Sequence, residues 1–215
     1  MKAYQNILFD LDGTLTDSKP GIFACLKYSL EYFGIEEKNN QKIRKMIGPP
    51  LLQSFKDMYG FSEEKARSAI IKYRERYTNI GIYENRVYDG IPELLDHLYK
   101  NGKKIILATS KPDIFARRVL DHFNLSKYFS FISAGDLEQK HSEKVDIIKN
   151  VFENLHIKPQ FTVMVGDRKY DINGANTCGI DSVGVLYGYG DRAELTEAGA
   201  TYIAENVSDL HNLMF

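Results

Sequence analysis

The feature that most constrains the fold lies in the second half of the chain, where strand-like segments alternate with amphipathic helical segments. "KKIILAT", "FTVMVGD" and "GIDSVGVLYG" are typical of buried strands, and helical patterns separate them. Such alternation predicts an α/β fold, in which helices cover both faces of a parallel sheet. The predicted strands are residues 6–9, 103–109, 128–133, 161–165, a segment within 179–188 and a short one within 201–206.

The stretch that follows the first strand has a different pattern, and none of it is typical of a strand. Ile22, Leu26 and Leu30 recur at helical spacing, and Gly34 is placed to end that helix. The segment before residue 88 is therefore predicted to be an all-helical insertion. Its predicted helices are residues 21–33, 41–46, 51–59 and a helix capped by Ser62 that ends near 77.

Length and composition agree with a globular protein that has one interrupted core. The chain has 215 residues, 43% hydrophobic and 27% charged, so we predict a Rossmann-like core of residues 1–16 and 87–215 and an inserted domain of residues 17–86. A net charge of −1 without a long basic run argues against nucleic-acid binding. No apolar stretch approaches the roughly 18 residues that span a bilayer. Two distant cysteines without metal-like spacing favour a cytoplasmic location.

Polar side chains follow three of the predicted strands. Asp10 and Asp12 follow the first strand in "ILFDLDGTLTDS", and the second strand ends at Thr109, the first residue of "TSK". Asp167 and Asp171 follow the strand "FTVMV". In open α/β sheets, ligands bind beyond the carboxyl ends of the strands, so these side chains are expected to meet in one crevice.

Several carboxylates in one crevice repel one another unless a cation lies between them. Mg²⁺ prefers oxygen ligands, and these motifs contain no histidine or cysteine that would favour Zn²⁺. We predict a Mg²⁺ site formed by the side chains of Asp10 and Asp167, with the backbone carbonyl of Asp12 as a third ligand.

Such a site is suited to a phosphoryl group. Asp10 is the candidate nucleophile, which would form an aspartyl-phosphate, and Asp12 is the candidate acid and base. The hydroxyl of Thr109 and the backbone N–H of Ser110 are candidate phosphate donors. A lysine is also needed to balance the phosphate charge, and we predict Lys144 in that role.

The choice of lysine has one alternative. Lys144 lies at the start of a helix that Ser142 is predicted to cap, whereas Lys140 precedes that helix. Asp171 is expected to hold the chosen lysine in place. Arg44, Gly48 and Lys111 are candidate contacts to the rest of the substrate.

The motifs together resemble those of the haloacid dehalogenase-like hydrolases. "FDLDGTL", "ATS", the lysine of "SEK" and "VGDRKYD" are similar in order and spacing to the four motifs of that family. The helical insertion and the segments "IGPPL", "TSKP" and "GVLYGYG" resemble its phosphoglycolate phosphatase branch. The resemblance implies a Rossmann-like core with a helical cap, Mg²⁺ dependence and an aspartyl-phosphate intermediate. It assigns the nucleophile to Asp10 and the acid and base to Asp12.

The expected function is hydrolysis of a small phosphorylated metabolite. Phosphoglycolate, a nucleoside monophosphate and a sugar phosphate are all candidate substrates. A phosphosugar mutase uses the same chemistry and stays open as an alternative, as does a non-catalytic phosphate-binding module. A dehalogenase has no need of an acid such as Asp12, so that activity is disfavoured.

Overall fold

A computed structural model describes residues 4–138 and 142–215, and the chain divides into two compact units. One unit comprises Met1–Thr16 and Val87–Phe215, and the other is Asp17–Arg86. The first unit contains every strand of the described residues, and the second contains only helices and turns.

The first unit is a six-stranded parallel sheet with the strand order β3-β2-β1-β4-β5-β6. The predicted α/β fold with a parallel sheet is therefore confirmed. Its strands are β1 (Asn6–Phe9), β2 (Lys104–Pro112), β3 (Phe131–Gly135), β4 (Thr162–Gly166), β5 (Asp181–Val185) and β6 (Tyr202–Ala204).

Helices connect these strands. The second unit holds α1 (Lys19–Tyr32), α2 (Asn40–Arg44), α3 (Leu51–Tyr59) and α4 (Glu63–Arg76), followed by a π-helical turn at Tyr77–Gly81. The first unit holds α5 (Ile91–Lys100), α6 (Asp113–His122), α7 (Lys144–Leu155), α8 (Lys169–Thr177), α9 (Arg192–Glu197) and α10 (Val207–Met214), with 3₁₀ turns at Ser126–Tyr128 and Pro159–Phe161. Over the described residues, none of these helices has the length and apolar character needed to cross a membrane.

The register of the sheet aligns the ends of three strands. Phe9 of β1 lies beside Leu107 of β2 on one side and Val165 of β4 on the other. All of β1 and β4 is buried, as expected for parallel strands covered on both faces. The residues that follow these three positions therefore emerge together at one edge of the sheet.

Apolar side chains from the central strands and two helices form the core beneath that edge. Leu8, Ile106 and Met164 pack with Ile148 of α7 and Ala175 of α8. Burial of such side chains contributes about 1.5–3 kcal/mol each, so this packing fixes α7 and α8 against the sheet. The first residues of both helices are thereby held close to the strand tips.

The predicted elements needed three adjustments. β2 extends to Pro112, three residues beyond its predicted end. Ser142 does not cap α7, because Glu143 occupies the N-cap position and the Ser142 Oγ is buried without a hydrogen-bond partner among the described residues. The third strand runs from Phe131 to Gly135, whereas the sequence predicts it at residues 128–133.

The second unit is formed by packing between its own helices. α1 packs against α4, and the Ser29 Oγ of α1 donates to the Ala69 carbonyl of α4 at 2.7 Å. Ser62 caps α4, as the sequence predicts, because its Oγ accepts from the Lys65 N–H at 3.2 Å. Phe33, Phe55 and Phe61 form an aromatic cluster in this unit.

Candidate active site

Asp10 lies at the tip of β1 and contacts a lysine from α7. Its backbone N–H donates to the Val165 carbonyl at 2.9 Å, which continues the pairing between β1 and β4. Lys144 is the first residue of α7 and is buried. Its Nζ donates to Asp10 Oδ1 at 2.9 Å and to the Ala108 carbonyl at 2.8 Å. The candidate nucleophile and the candidate phosphate lysine are therefore in direct contact.

Asp171 of α8 contacts the same ammonium group. Lys144 Nζ lies 2.7 Å from Asp171 Oδ1, and the Arg168 N–H donates to Asp171 Oδ2 at 3.1 Å. Burial opposes the charge on Lys144, but the carboxylates of Asp10 and Asp171 outweigh it and raise the pKa of this lysine. Burial raises the pKa of Asp171 to about 6 despite the contact with Lys144. Because its pKa is raised, Lys144 is a cation at neutral pH.

Asp167 follows β4 and is completely buried. Its Oδ2 accepts from the Tyr189 N–H at 2.7 Å, and its Oδ1 accepts from the Thr14 hydroxyl at 3.4 Å. Gly13 has φ +92°, and a Cβ there would lie 2.2 Å from Asp167 Oδ2. A Cβ on Gly188 would lie 2.3 Å from Asp167 Cβ. The close approach of two glycines thus leaves Asp167 little freedom to move.

Asp10, Asp167 and Asp171 form a buried carboxylate cluster, in which each offers an oxygen within 4.8 Å of the other two. Burial raises the pKa of Asp167 well above its usual range, and the charges of Asp171 and Asp10 raise it further. Lys144 supplies one positive charge, so two negative charges remain when all three carboxyl groups are ionised. A divalent cation that prefers oxygen ligands fits both this charge and this donor set.

Asp12 is paired with Lys111 of β2. Lys111 Nζ donates to Asp12 Oδ2 at 2.6 Å, and the two side chains are 6% and 14% exposed, respectively. Asp12 Oδ1 is buried and has no hydrogen-bond partner within residues 4–138 and 142–215. The sequence suggested Lys111 as a substrate contact, and that role stays a prediction.

The two candidate phosphate donors on β2 lie at the same edge of the sheet. Thr109 is buried, and its Oγ1 accepts from the Lys111 N–H at 3.3 Å. Ser110 follows it and is half-buried. Their position two and three residues beyond Leu107 brings them level with the tip of β1. Their contacts with phosphate stay predictions.

The remaining candidates lie elsewhere. Lys140, the alternative phosphate lysine, lies outside the described residues. Arg44 ends α2 and Gly48 follows it, so both belong to the second unit. Their contacts with substrate stay predictions.

The motifs did not reveal two supports of Asp167 and its loop. One is the segment "LYGYG", which is part of the family resemblance but gave no sign of a contact with Asp167; its Tyr189 N–H donates to Asp167 Oδ2. The other is Glu194, whose Oε1 accepts from Arg168 Nε at 2.8 Å and from the Lys169 N–H at 2.9 Å. Glu194 lies on a separate helix, and no sequence pattern linked it to this loop.

Comparison with known proteins identifies the family. Residues 7–185 match the family model described as haloacid dehalogenase-like hydrolase. The chain belongs to the haloacid dehalogenase-like hydrolases. Among its relatives, a 5′-nucleotidase of Pseudomonas aeruginosa is 40% identical over 211 residues, which cover 98% of this chain and 96% of the relative. The tyrosine-protein kinase PtkA of Mycobacterium tuberculosis is 35% identical over 209 residues, or 97% of this chain and 71% of PtkA.

A solved structure and further relatives are phosphatases by name. A crystal structure of a predicted phosphatase from Clostridium acetobutylicum has a TM-score of 0.96 and 45% identity, and the match covers 99% of this chain and 98% of that one. Phosphoglycolate phosphatases of several bacteria are 27–30% identical to this chain. The predicted family, the predicted fold class and the prediction of a phosphatase enzyme are therefore confirmed.

Proposed function

We propose that this haloacid dehalogenase-like phosphatase hydrolyses a small phosphomonoester through a phosphorylated Asp10. The supporting observation is the position of the Lys144 ammonium, which lies 2.9 Å from Asp10 Oδ1 and 2.7 Å from Asp171 Oδ1 in a buried site. A buried ammonium beside a carboxylate can hold a phosphate dianion while that carboxylate attacks phosphorus.

We propose Mg²⁺ as the cofactor, held by the side chains of Asp10 and Asp167 and by the backbone carbonyl of Asp12. The two uncompensated charges of the buried carboxylate cluster support a divalent cation. When bound, Mg²⁺ would stabilise the negative charge on the phosphoryl oxygens as a Lewis acid. Asp171 has a different role, because its Oδ1 is 2.7 Å from Lys144 Nζ and holds that lysine in place.

In the first step, an oxygen of Asp10 forms a bond to phosphorus, and the bond between phosphorus and the leaving oxygen breaks. The electron pair of that bond stays on the leaving oxygen, and Asp12 donates its proton there, so an alcohol leaves. Thr109, the Ser110 N–H and Lys144 bind the phosphoryl oxygens.

In the second step, water attacks the phosphorus of phosphorylated Asp10 and gives a proton to Asp12. The bond between Asp10 and phosphorus breaks, and inorganic phosphate is released. Asp12 is then protonated again, ready for the next substrate. The same side chain therefore acts as acid in one step and base in the other.

A nucleoside 5′-monophosphate is the first candidate substrate, because the 5′-nucleotidase is 40% identical over nearly the whole chain. Phosphoglycolate and sugar phosphates are the next candidates. We propose that the helical unit Asp17–Arg86 is the cap that selects among them, and that Arg44 and Gly48 contact the part of the substrate beyond the phosphate.

The test is release of inorganic phosphate from a panel of nucleoside monophosphates, sugar phosphates and phosphoglycolate, with Mg²⁺ and with EDTA. Asp10→Asn serves as the blank, and mass spectrometry of acid-quenched enzyme detects phosphate on Asp10. We expect release only with Mg²⁺ and an intact Asp10. Turnover by Asp10→Asn at the native rate would contradict the proposed mechanism.

Transfer of a phosphoryl group to a protein tyrosine is the second candidate function, because the tyrosine-protein kinase PtkA is 35% identical over 97% of this chain. Incubation with ATP labelled at the γ-phosphate distinguishes the two functions. A kinase would place the label on tyrosine, whereas a phosphatase would release it as inorganic phosphate or leave ATP intact.

We also propose a cytoplasmic location. Cys25 and Cys178 are both free thiols, which agrees with a reducing compartment. Fractionation of cells that express the tagged protein would test the location directly.

A further inference from the structure

The buried ion pair between Lys111 and Asp12 has a specific geometry. Lys111 Nζ lies 2.6 Å from Asp12 Oδ2, and both side chains are largely removed from solvent. A charge-assisted hydrogen bond of this length restricts both partners. Asp12 Oδ1 is buried and makes no hydrogen bond to any residue that the structure describes. One oxygen of Asp12 is thus engaged, and the other is available for a different partner.

An irregularity in β2 carries Lys111 to this position. β2 pairs with β3 up to Thr109, and the next paired residue of β2 is Pro112, which lies opposite Gly135. Ser110 and Lys111 are therefore extra residues in β2, and a bulge of this kind redirects side chains. A Cβ on Gly135 would lie 2.4 Å from the Ser110 carbonyl oxygen, so glycine is required for this approach.

We propose that Lys111 is a positioning residue, whose ammonium holds Asp12 Oδ2 so that Oδ1 delivers the proton to the leaving oxygen. This inference rests on the proposed function, in which Asp12 protonates the leaving group. An unrestrained aspartate samples several rotamers, and a misplacement of about 1 Å can cost about 10²-fold in rate. If Lys111 only contacted the substrate, its loss would instead weaken the binding of every substrate alike.

Two esters that differ in their need for a proton provide the test. 4-Nitrophenyl phosphate has a leaving group that departs with little help, whereas phenyl phosphate needs protonation of its leaving oxygen. The measured quantity is kcat/KM, because it covers the steps up to release of the alcohol. For Lys111→Met we expect a fall of about 10- to 100-fold with phenyl phosphate and of less than about threefold with 4-nitrophenyl phosphate.

Three further variants isolate the role of Lys111. Lys111→Arg keeps a cation that can donate a charge-assisted hydrogen bond to Asp12, so it should retain more phenyl phosphate activity than Lys111→Met. In an Asp12→Asn background, Lys111→Met should cause no further change in the ratio of the two kcat/KM values. Lys103→Met is the matched control, because Lys103 precedes β2 at its other end and its Nζ donates to the Tyr4 carbonyl at 2.6 Å. It should leave the ratio unchanged.

Two results would overturn the proposal. One is an equal fall of kcat/KM for both esters in Lys111→Met, and the other is a higher KM with an unchanged ratio. If Lys111→Met does not fold, Lys111→Gln replaces it, and a native ratio in that variant would also overturn the proposal. Failure of the proposed function looks different, because the wild-type protein would then release no phosphate from either ester or Asp10→Asn would remain active.

Discussion

The ion pairs at the strand tips of the sheet unit are far more buried than an ion pair on α4 of the helical unit. In the sheet unit, Lys144 and its partners Asp10 and Asp171 are at most 11% exposed. In the helical unit, the ion pair between Arg67 and Glu63 has side chains that are 54% and 59% exposed, respectively. Loss of one partner from a buried pair is costly, whereas an exposed pair contributes little. The difference indicates that the charges at the strand tips are constrained, while those of this exposed helix pair are free to vary.

The largest effect is expected from Asp10→Asn in the sheet unit. A carboxamide cannot attack phosphorus, so phosphate release should fall by at least about 10⁴-fold. Initial rates with the best substrate of the panel measure the change, and circular dichroism checks that the variant is folded. A folded variant that kept more than about 1% of the native rate would rule out Asp10 as the nucleophile.

Lys144→Met tests how much the buried ion pairs with Asp10 and Asp171 contribute to stability. Without the ammonium, the carboxylates of Asp10 and Asp171 remain buried without a cation, so the free energy of unfolding should fall by about 3–5 kcal/mol. Urea unfolding in EDTA measures this change. Arg67→Ala in the helical unit is the matched control and should leave the urea midpoint unchanged. If both variants unfold at the same urea concentration, the buried ion pairs of Lys144 contribute no more to stability than the exposed pair of Arg67.

The carboxylate cluster should also give the metal-free protein an unusual pH dependence. Burial raises the pKa of Asp171 from 3.8 to about 6, and it raises that of Asp167 as well. A carboxyl group whose pKa is higher in the folded state destabilises the fold once the pH exceeds its unfolded-state pKa, and this cost shrinks as the pH falls from the folded-state pKa toward the unfolded-state value. Stability in EDTA should therefore increase by on the order of 2 kcal/mol between about pH 7 and about pH 5.

Urea midpoints over this pH interval measure the effect. Mg²⁺ should raise the midpoint most at the upper end of the interval, because the cation replaces the missing positive charge. Asp167→Asn removes one of the responsible groups and should flatten the profile. If the midpoint in EDTA instead fell steadily toward pH 5, the carboxylate cluster would not be destabilising.

The smallest effect is expected from Arg44→Ala in the helical unit. If Arg44 contacts the substrate beyond its phosphate, the KM for the best metabolite should rise about tenfold. The kcat/KM for 4-nitrophenyl phosphate should stay within about twofold, since that ester lacks the recognised group. Lys45→Ala, at the neighbouring exposed position, is the control. Equal changes with both esters would remove Arg44 from substrate selection.

The strand tips could be predicted because their residues satisfy two constraints at once. An apolar run that ends in Asp10 or Asp167 fits a buried parallel strand and also the carboxyl edge where ligands bind. Those constraints are local in sequence, so the motifs were sufficient to predict them. The contact between Lys144 and Asp10 joins residues 134 positions apart, and it was predictable only through the order of the motifs.

Other features depend on packing that no local pattern encodes. The partner of Lys111 depends on a bulge that arises from pairing with Gly135 on another strand. Ser142 precedes a helix and was expected to cap it, but Glu143 takes that position and the serine hydroxyl is buried instead. Tyr189 contributes its backbone N–H, and any residue type except proline could do so.

The bridge between Thr16 and Val87 affects which inserted segments the sheet unit can accept. These residues pair in antiparallel fashion, so the chain leaves the sheet unit and returns to it at adjacent points. Paired Cα atoms in such a bridge are about 5 Å apart, a gap that a tight turn can close. Insertions of very different lengths can therefore be exchanged at this junction without altering the register of any strand.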